Sequence, residues 1–168
     1  ANYHPRVNIL KPGIGVGGHC IAVDPWFLIS DNPDCAKLIH QGRKTNIKKT
    51  AWVLSEIEVL ISNFELNNKK KPALACFGLT YKPDTDDMRE SPAKYIVDSL
   101  ISSGNEIMIV EPNINSHPVY SIQNQDYAIA NSDICIFLVE HSQFKKSIDE
   151  GLFNSVNIID FCGASLKL

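Results

Sequence analysis

The sequence lacks what would tie it to a membrane, a nucleic acid or a disulfide-bonded scaffold. Its longest purely apolar run, Ile134 to Val139, is too short to cross a bilayer. No signal peptide is expected, and the sequence has no N-x-S/T sequon. Positive charge is not in excess: Lys+Arg number 16 against 19 Asp+Glu, a net charge of -3. That balance excludes a general nucleic-acid binder, whose phosphate contacts need a basic face. The five cysteines (Cys20, Cys35, Cys76, Cys135, Cys162) are odd in number, scattered and never in C-x-x-C. No disulfide framework or structural zinc is expected, and a reducing cytoplasm fits better. The spacing of His19, Cys20, Cys35 and His40 matches no ligand pattern, so no metal is expected.

Glycine, by contrast, is concentrated in one place. In Gly13–Phe27, GIGVGGHCIAVDPWF, four glycines fall within six positions and lead into His19-Cys20, with Asp24 four residues after the thiol. Glycine costs backbone entropy, so this density implies a close approach that only bare backbone permits. Two readings stand: a ligand held against Cys20, or a Gly-rich turn beside a buried cysteine. Gly13, Gly15 and Gly18 also satisfy G-x-G-x-x-G, which signifies a dinucleotide site only between a strand and a helix. Pro25 disfavours a helix through this point, so the match is rejected. The chain opens at Ala1, in the middle of what reads as a functional segment, and is expected to be a piece of a longer protein.

Three segments are expected: a cysteine loop (1–32), a long central helix (33–68) and an α/β domain (69–168). Asn32 as N-cap and Pro33 at the first helical position predict the helix start. Helical spacing continues to Phe64, and an unbroken helix would be about 50 Å long. Its apolar residues spread over more than one face, which calls for another domain or subunit; the alternative is two core helices broken at Gly42. Lys69-Lys70-Lys71 reads as a solvated linker.

From Pro72 onward, apolar runs at 73–77, 106–110, 134–139 and 156–160 predict strands, with helices from Ser91-Pro92 to Gly104 and around 143–149. Residues 113–130 read as irregular. The alternation predicts a Rossmann-like parallel sheet with helices on both faces. The loop Gly78–Glu90 is long for a βα connection. It carries Lys82 and Arg89 beside a Ser91 cap, all suited to phosphate oxygens. The alternative pairs those cations with Asp84, Asp86 and Asp87.

GVGGHCIAVDPWF together with FGLTYKPDTDDMRESPA resembles the UDP-glucose/GDP-mannose dehydrogenase family. The nearest likeness is to members that act on UDP-N-acetyl-D-mannosamine, and Val23, where glucose-type members carry Lys, agrees with that subgroup. The resemblance implies oxidation of a sugar C6 alcohol to a carboxylate with reduction of two NAD+, in an enzyme of surface-polysaccharide synthesis. It makes Cys20 the nucleophile that traps the aldehyde as a thiohemiacetal, and Asp24 the group that assists water and proton handling. The family offsets that carboxylate with a lysine outside this sequence. By the same likeness Gly17 approaches the substrate, Asn8, Ile9, Leu10 and Lys11 wrap the uridine, and Lys82 contacts the substrate. Arg6 reaches the neighbouring subunit's site, and Arg89 meets NAD, which is bound mainly by a domain absent here. The central helix resembles the family's dimerisation helix, so a homodimer is expected, and the segment alone is expected to be inactive. One departure is Cys162, where many members carry a basic substrate contact.

Rival readings are a dehydrogenase of another UDP- or GDP-sugar, and a non-catalytic nucleotide-binding or oligomerisation module. A cysteine hydrolase would need His19 to activate Cys20. Neighbours in an extended segment point to opposite faces, which argues against it.

Overall fold

Four short apolar runs make the strands β1 (Leu74–Phe77), β2 (Ile107–Val110), β3 (Ile134–Phe137) and β4 (Asn157–Asp160) of a computed structural model that describes residues 3–7, 9 and 11–165. All pair in parallel, in the order β2-β1-β3-β4. The two inner strands are buried along their whole length, which is why they read as continuous hydrophobic runs. The chain leaves β1 for β2 on one side and returns for β3 on the other. Their carboxyl ends therefore form the switch point where open α/β sheets bind ligands.

Helices cover both faces. Leu74 and Cys76 point to the face packed by α2 (Lys37–Asn68) and α3 (Pro92–Ser102), through Val53, Ile57, Ile61, Ile96 and Leu100. Ala75 and Phe77 point to the opposite face, under α4 (Gln125–Asn131) and α5 (Ser142–Asp149). There the Phe77 ring meets Phe137 at 4.9 Å and Phe153 at 5.2 Å between centroids. The α/β sheet with helices on both faces, preceded by a long helix, is thus the expected fold.

Three local expectations are corrected. A first helix, α1 (Cys20–Asp31), runs straight through Pro25. The dinucleotide fingerprint still fails, because among the described residues no strand leads into its glycines. Next, α2 begins at Lys37 after an Ala36 cap, not at Asn32. The Asn32 N–H donates to Leu28 O at 3.1 Å and closes α1, so Pro33 stops one helix instead of starting the next. Lastly, 113–130 is not wholly irregular. The Asn124 side chain accepts from Asp126 N at 2.8 Å and starts α4.

Helix α2 is continuous through Gly42, 32 residues long. Its C-terminal half shares the sheet's core, while Leu38, Trp52, Val59 and Leu66 stay exposed. No helix among the described residues is long and apolar enough to cross a membrane.

Candidate functional site

The glycine segment lies in a slot between α2 and the loop that follows β1. Thr50 Oγ1 donates to Ile14 O at 2.9 Å, Val16 N donates to Asn46 Oδ1 at 2.9 Å, and Gly18 N donates to Arg89 O at 2.9 Å. A Cβ on Gly17 would strike the Glu90 carbonyl oxygen and come within 2.7 Å of Tyr81 Cβ. On Gly18, whose φ is +86, it would sit 2.8 Å from the Tyr81 ring. These glycines are therefore needed by the protein's own loop, and crowding by a ligand is not required to explain them. Gly13 faces nothing within 4 Å.

This docking sets Cys20 as the first residue of α1, exposed, with Asp24 one turn further along the same face and also exposed. His19, the cap residue, brings Nδ1 to 3.9 Å from Cys20 Sγ. Here the premise of opposed side chains is corrected: the pair opens a helix and is not extended. All five cysteines are free thiols.

Arg89 reaches the same edge. Its Nε and Nη2 fork onto Asp87 at distances of 2.7 to 3.1 Å, and the side chain stays exposed. The hydrogen bonds from Arg89 pull the Asp87 carboxyl down to about 2. The same bonds raise the guanidinium, with the charge of Asp87 next and Tyr81 and Cys20 close enough to add to it. The surface-pairing alternative thus holds for Arg89. Lys82 is exposed, its Nζ 5.4 Å from the Tyr81 ring centroid. Lys11 approaches Glu140, just past β3, at 4.0 Å. Ile9 is exposed, and Arg6 is exposed in a turn where its N–H donates to His4 Nδ1 at 3.3 Å. Asn8 and Leu10 lie outside the described residues. The structure therefore brings Gly17 and Gly18, which lead into Cys20, against the backbone of Arg89 and Glu90. An open groove of about 530 Å³ adjoins them between α2 and α3, with Asn46, Thr50, Glu90 and Ser91 in its walls. No candidate residue lines this groove or the hollow of about 430 Å³ beside α4.

Sequence reasoning missed a buried polar cluster at the switch point. Glu111, one residue past β2, accepts from Leu79 N at 2.7 Å, Thr80 N at 3.3 Å and Asn113 N at 3.1 Å. It also bonds His141 Nε2 at 3.1 Å. Burial works to raise its carboxyl, but the bonds from His141, Leu79 and Asn113 outweigh that and hold it below its ordinary value. Glu111 directly follows the apolar run of β2, but nothing local marks it as the partner of His141, which stands four residues past β3 and behind Glu140. The cluster also tests this sheet as a dinucleotide cradle. In the first βα turn the Leu79 and Thr80 N–H groups are already bound to Glu111 and that of Gly78 to Val110 O, so this turn does not offer them to a pyrophosphate.

At the end of β4, Asp160 accepts from Cys162 N, Gly163 N and Ser165 N at 3.0, 2.8 and 2.7 Å. Burial opposes the Asp160 charge, yet these donors and the Ser165 hydroxyl keep its carboxyl low. Burial first, and the Asp160 charge second, push the Cys162 thiol far up. A neutral thiol stands there. Among the described residues no group of three or more His, Cys, Asp or Glu could hold a metal.

Residues 75–164 match the UDP-glucose/GDP-mannose dehydrogenase family, UDP binding domain, and residues 1–48 match its central domain. UDP-N-acetyl-D-mannosamine dehydrogenase of Escherichia coli (strain K12) is 44% identical over 86% of this chain and 37% of its own length. NDP-N-acetyl-D-galactosaminuronic acid dehydrogenase of Ralstonia solanacearum is 42% identical over 97% of the chain and 38% of its own length. The solved UDP-D-ManNAc dehydrogenase from Pyrococcus horikoshii superposes with a TM-score of 0.78 at 32% identity, covering 99% of this chain and 39% of that one. The chain thus spans well under half the length of these relatives. With both family segments matched in order, and the glycine-anchored cysteine and the loop after β1 meeting at one edge, the chain belongs to the UDP-glucose/GDP-mannose dehydrogenase family.

Proposed function

We propose that this chain is the central and nucleotide-binding part of an NAD-dependent dehydrogenase that oxidises C6 of UDP-N-acetyl-D-mannosamine to the uronate. The observation that carries this reading is the exposed Cys20 thiol at the start of α1, tied by Gly18 to the loop bearing Lys82 and Arg89. The 44% identity to a UDP-N-acetyl-D-mannosamine dehydrogenase favours the substrate.

The chemistry NAD supplies when bound is acceptance of hydride from C6, once per oxidation. In this chain, Cys20 sulfur attacks the C6 aldehyde and forms the C–S bond of a thiohemiacetal. Loss of the C6 hydrogen as hydride and of the hydroxyl proton leaves a thioester. Water then cleaves the C–S bond, giving the carboxylate and returning the thiol. Asp24 lies one helical turn from the sulfur and suits the handling of that water and its protons. Gly17 and Lys82 meet the sugar nucleotide, with Asn8, Ile9, Leu10 and Lys11 along the uridine. The exposed Arg89 guanidinium suits a cofactor phosphate. Arg6 serves the partner's site in a homodimer, and the exposed apolar side of α2 (Leu38, Trp52, Val59) is the surface that suits a second copy.

A titration of this chain with UDP, GDP and UDP-N-acetylglucosamine, read by thermal shift, tests the reading. Stabilisation by the uridine compounds alone is the expected result. Equal stabilisation by GDP, or none by any, would count against it. Another N-acetylated sugar is the second reading, favoured by the 42% identity to the galactosaminuronic acid enzyme over nearly the whole chain.

A further inference from the structure

We propose that buried His141, held by Glu111 with its proton on Nε2, is the positioning residue that latches the loop carrying Lys82 and Arg89 onto the sheet. The functional weight of this latch rests on the reading above; its geometry does not. His141 follows β3, Glu111 follows β2, and the loop follows β1, so all three converge at the switch point. Both side chains are fully shielded from solvent, so neither can touch a ligand.

The hydrogen bonds fix the tautomer. A backbone amide can only donate, and Asp84 N donates to His141 Nδ1 at 3.0 Å. Asn113 Nδ2 approaches the same nitrogen at 3.0 Å and, also 3.4 Å from Glu111 Oε1, serves as a second donor. Nδ1 therefore carries no proton. Nε2–H donates to Glu111 Oε2 at 3.1 Å and leans toward Thr80 Oγ1 at 3.3 Å. That hydroxyl spends its own proton on Lys82 O at 3.0 Å, so it can accept from the imidazole.

The grip works in both directions. While Asp84 gives its N–H to His141, its carboxylate accepts from Ser142 N at 2.9 Å and from the Ser142 hydroxyl. It thereby supplies the cap that α5 lacks from its own residue 141. Asp84 also sits at φ +56, a conformation that only such outside contacts repay. Loop and helix start are thus locked by one reciprocal pair, two residues from Lys82.

Histidine nitrogen NMR on the 168-residue chain, without nucleotide, is the first test: His141 is expected as the Nε2–H tautomer, and a proton on Nδ1 would overturn the proposal. Two variants then separate latch from packing. H141N keeps an acceptor near the Nδ1 position, whereas H141Q keeps a donor near Nε2. Exchange of the Asp84 amide should quicken about tenfold or more in H141Q and much less in H141N, with β1 and β3 amides unchanged in both. Equal loss of protection in the two variants, no change in either, or a general loss that includes β1 and β3, would refute a latch. Because no nucleotide is present, these readouts can fail while the dehydrogenase reading stands. Conversely, failure of the wild-type chain to respond to UDP would sink that reading and leave the latch intact.

Discussion

Cys20 and Cys76 illustrate how far one residue type can be divided by its surroundings. Cys20 is exposed on a helix start, whereas burial, with Cys135 beside it, pushes the Cys76 thiol up to about 12. Iodoacetamide under native conditions should therefore modify Cys20 and Cys35 and leave Cys76 and Cys135 untouched, as read by peptide mass spectrometry. Labelling of Cys76 at the rate of Cys20 would contradict the packing. Asp87 and Arg89 give a pH prediction. The Asp87 carboxyl is lower in the folded protein than its ordinary 3.8, so the pair contributes stability above 3.8 and loses it as pH falls toward about 2. Accordingly, the stability gap between wild type and Arg89→Ala should be present at neutral pH and close across that interval in acid denaturation. At this scale the sequence drew attention to its motif residues and was opaque in Glu111 and His141. Those two matter through partners 30 and more positions away, which no local pattern announces.

Among elements, the strands and α3 were readable because continuous apolar runs and a Ser-Pro start have a single physical meaning. Helix α1 was not, since Pro25 argues locally against a conformation that the docking of Gly17 and Gly18 imposes. Helix α4, from Gln125 to Asn131, is too short for periodicity to speak, although its Asn124 cap was visible. Two glycines allow an opposed test. Gly42 lies inside α2 with nothing within 4 Å of where a Cβ would stand, so Gly42→Ala should stabilise by about 0.5–1 kcal/mol. Gly17→Ala must instead push against backbone at Glu90 and should destabilise by about 1–3 kcal/mol. Urea denaturation of both variants against wild type reads the two signs directly.

For the whole molecule, the long helix belongs to two surfaces at once. Val53, Ile57 and Ile61 are sealed into the sheet's core, while Leu38, Trp52, Val59 and Leu66 face outward. A chain with that outward face should self-associate. Sedimentation velocity is expected to show a dimer that Val59→Glu weakens, and a wild-type monomer across the accessible concentration range would contradict this. The docking of the glycine segment on Tyr81 has a historical consequence as well. The contact joins residues from the two separately matched parts of the family, so neither part can drift freely. A descendant that acquires a side chain at position 18 has to displace or lose the ring at position 81 and also relieve the positive φ, so a phylogeny of such chains should show changes at 18 in company with changes at 81.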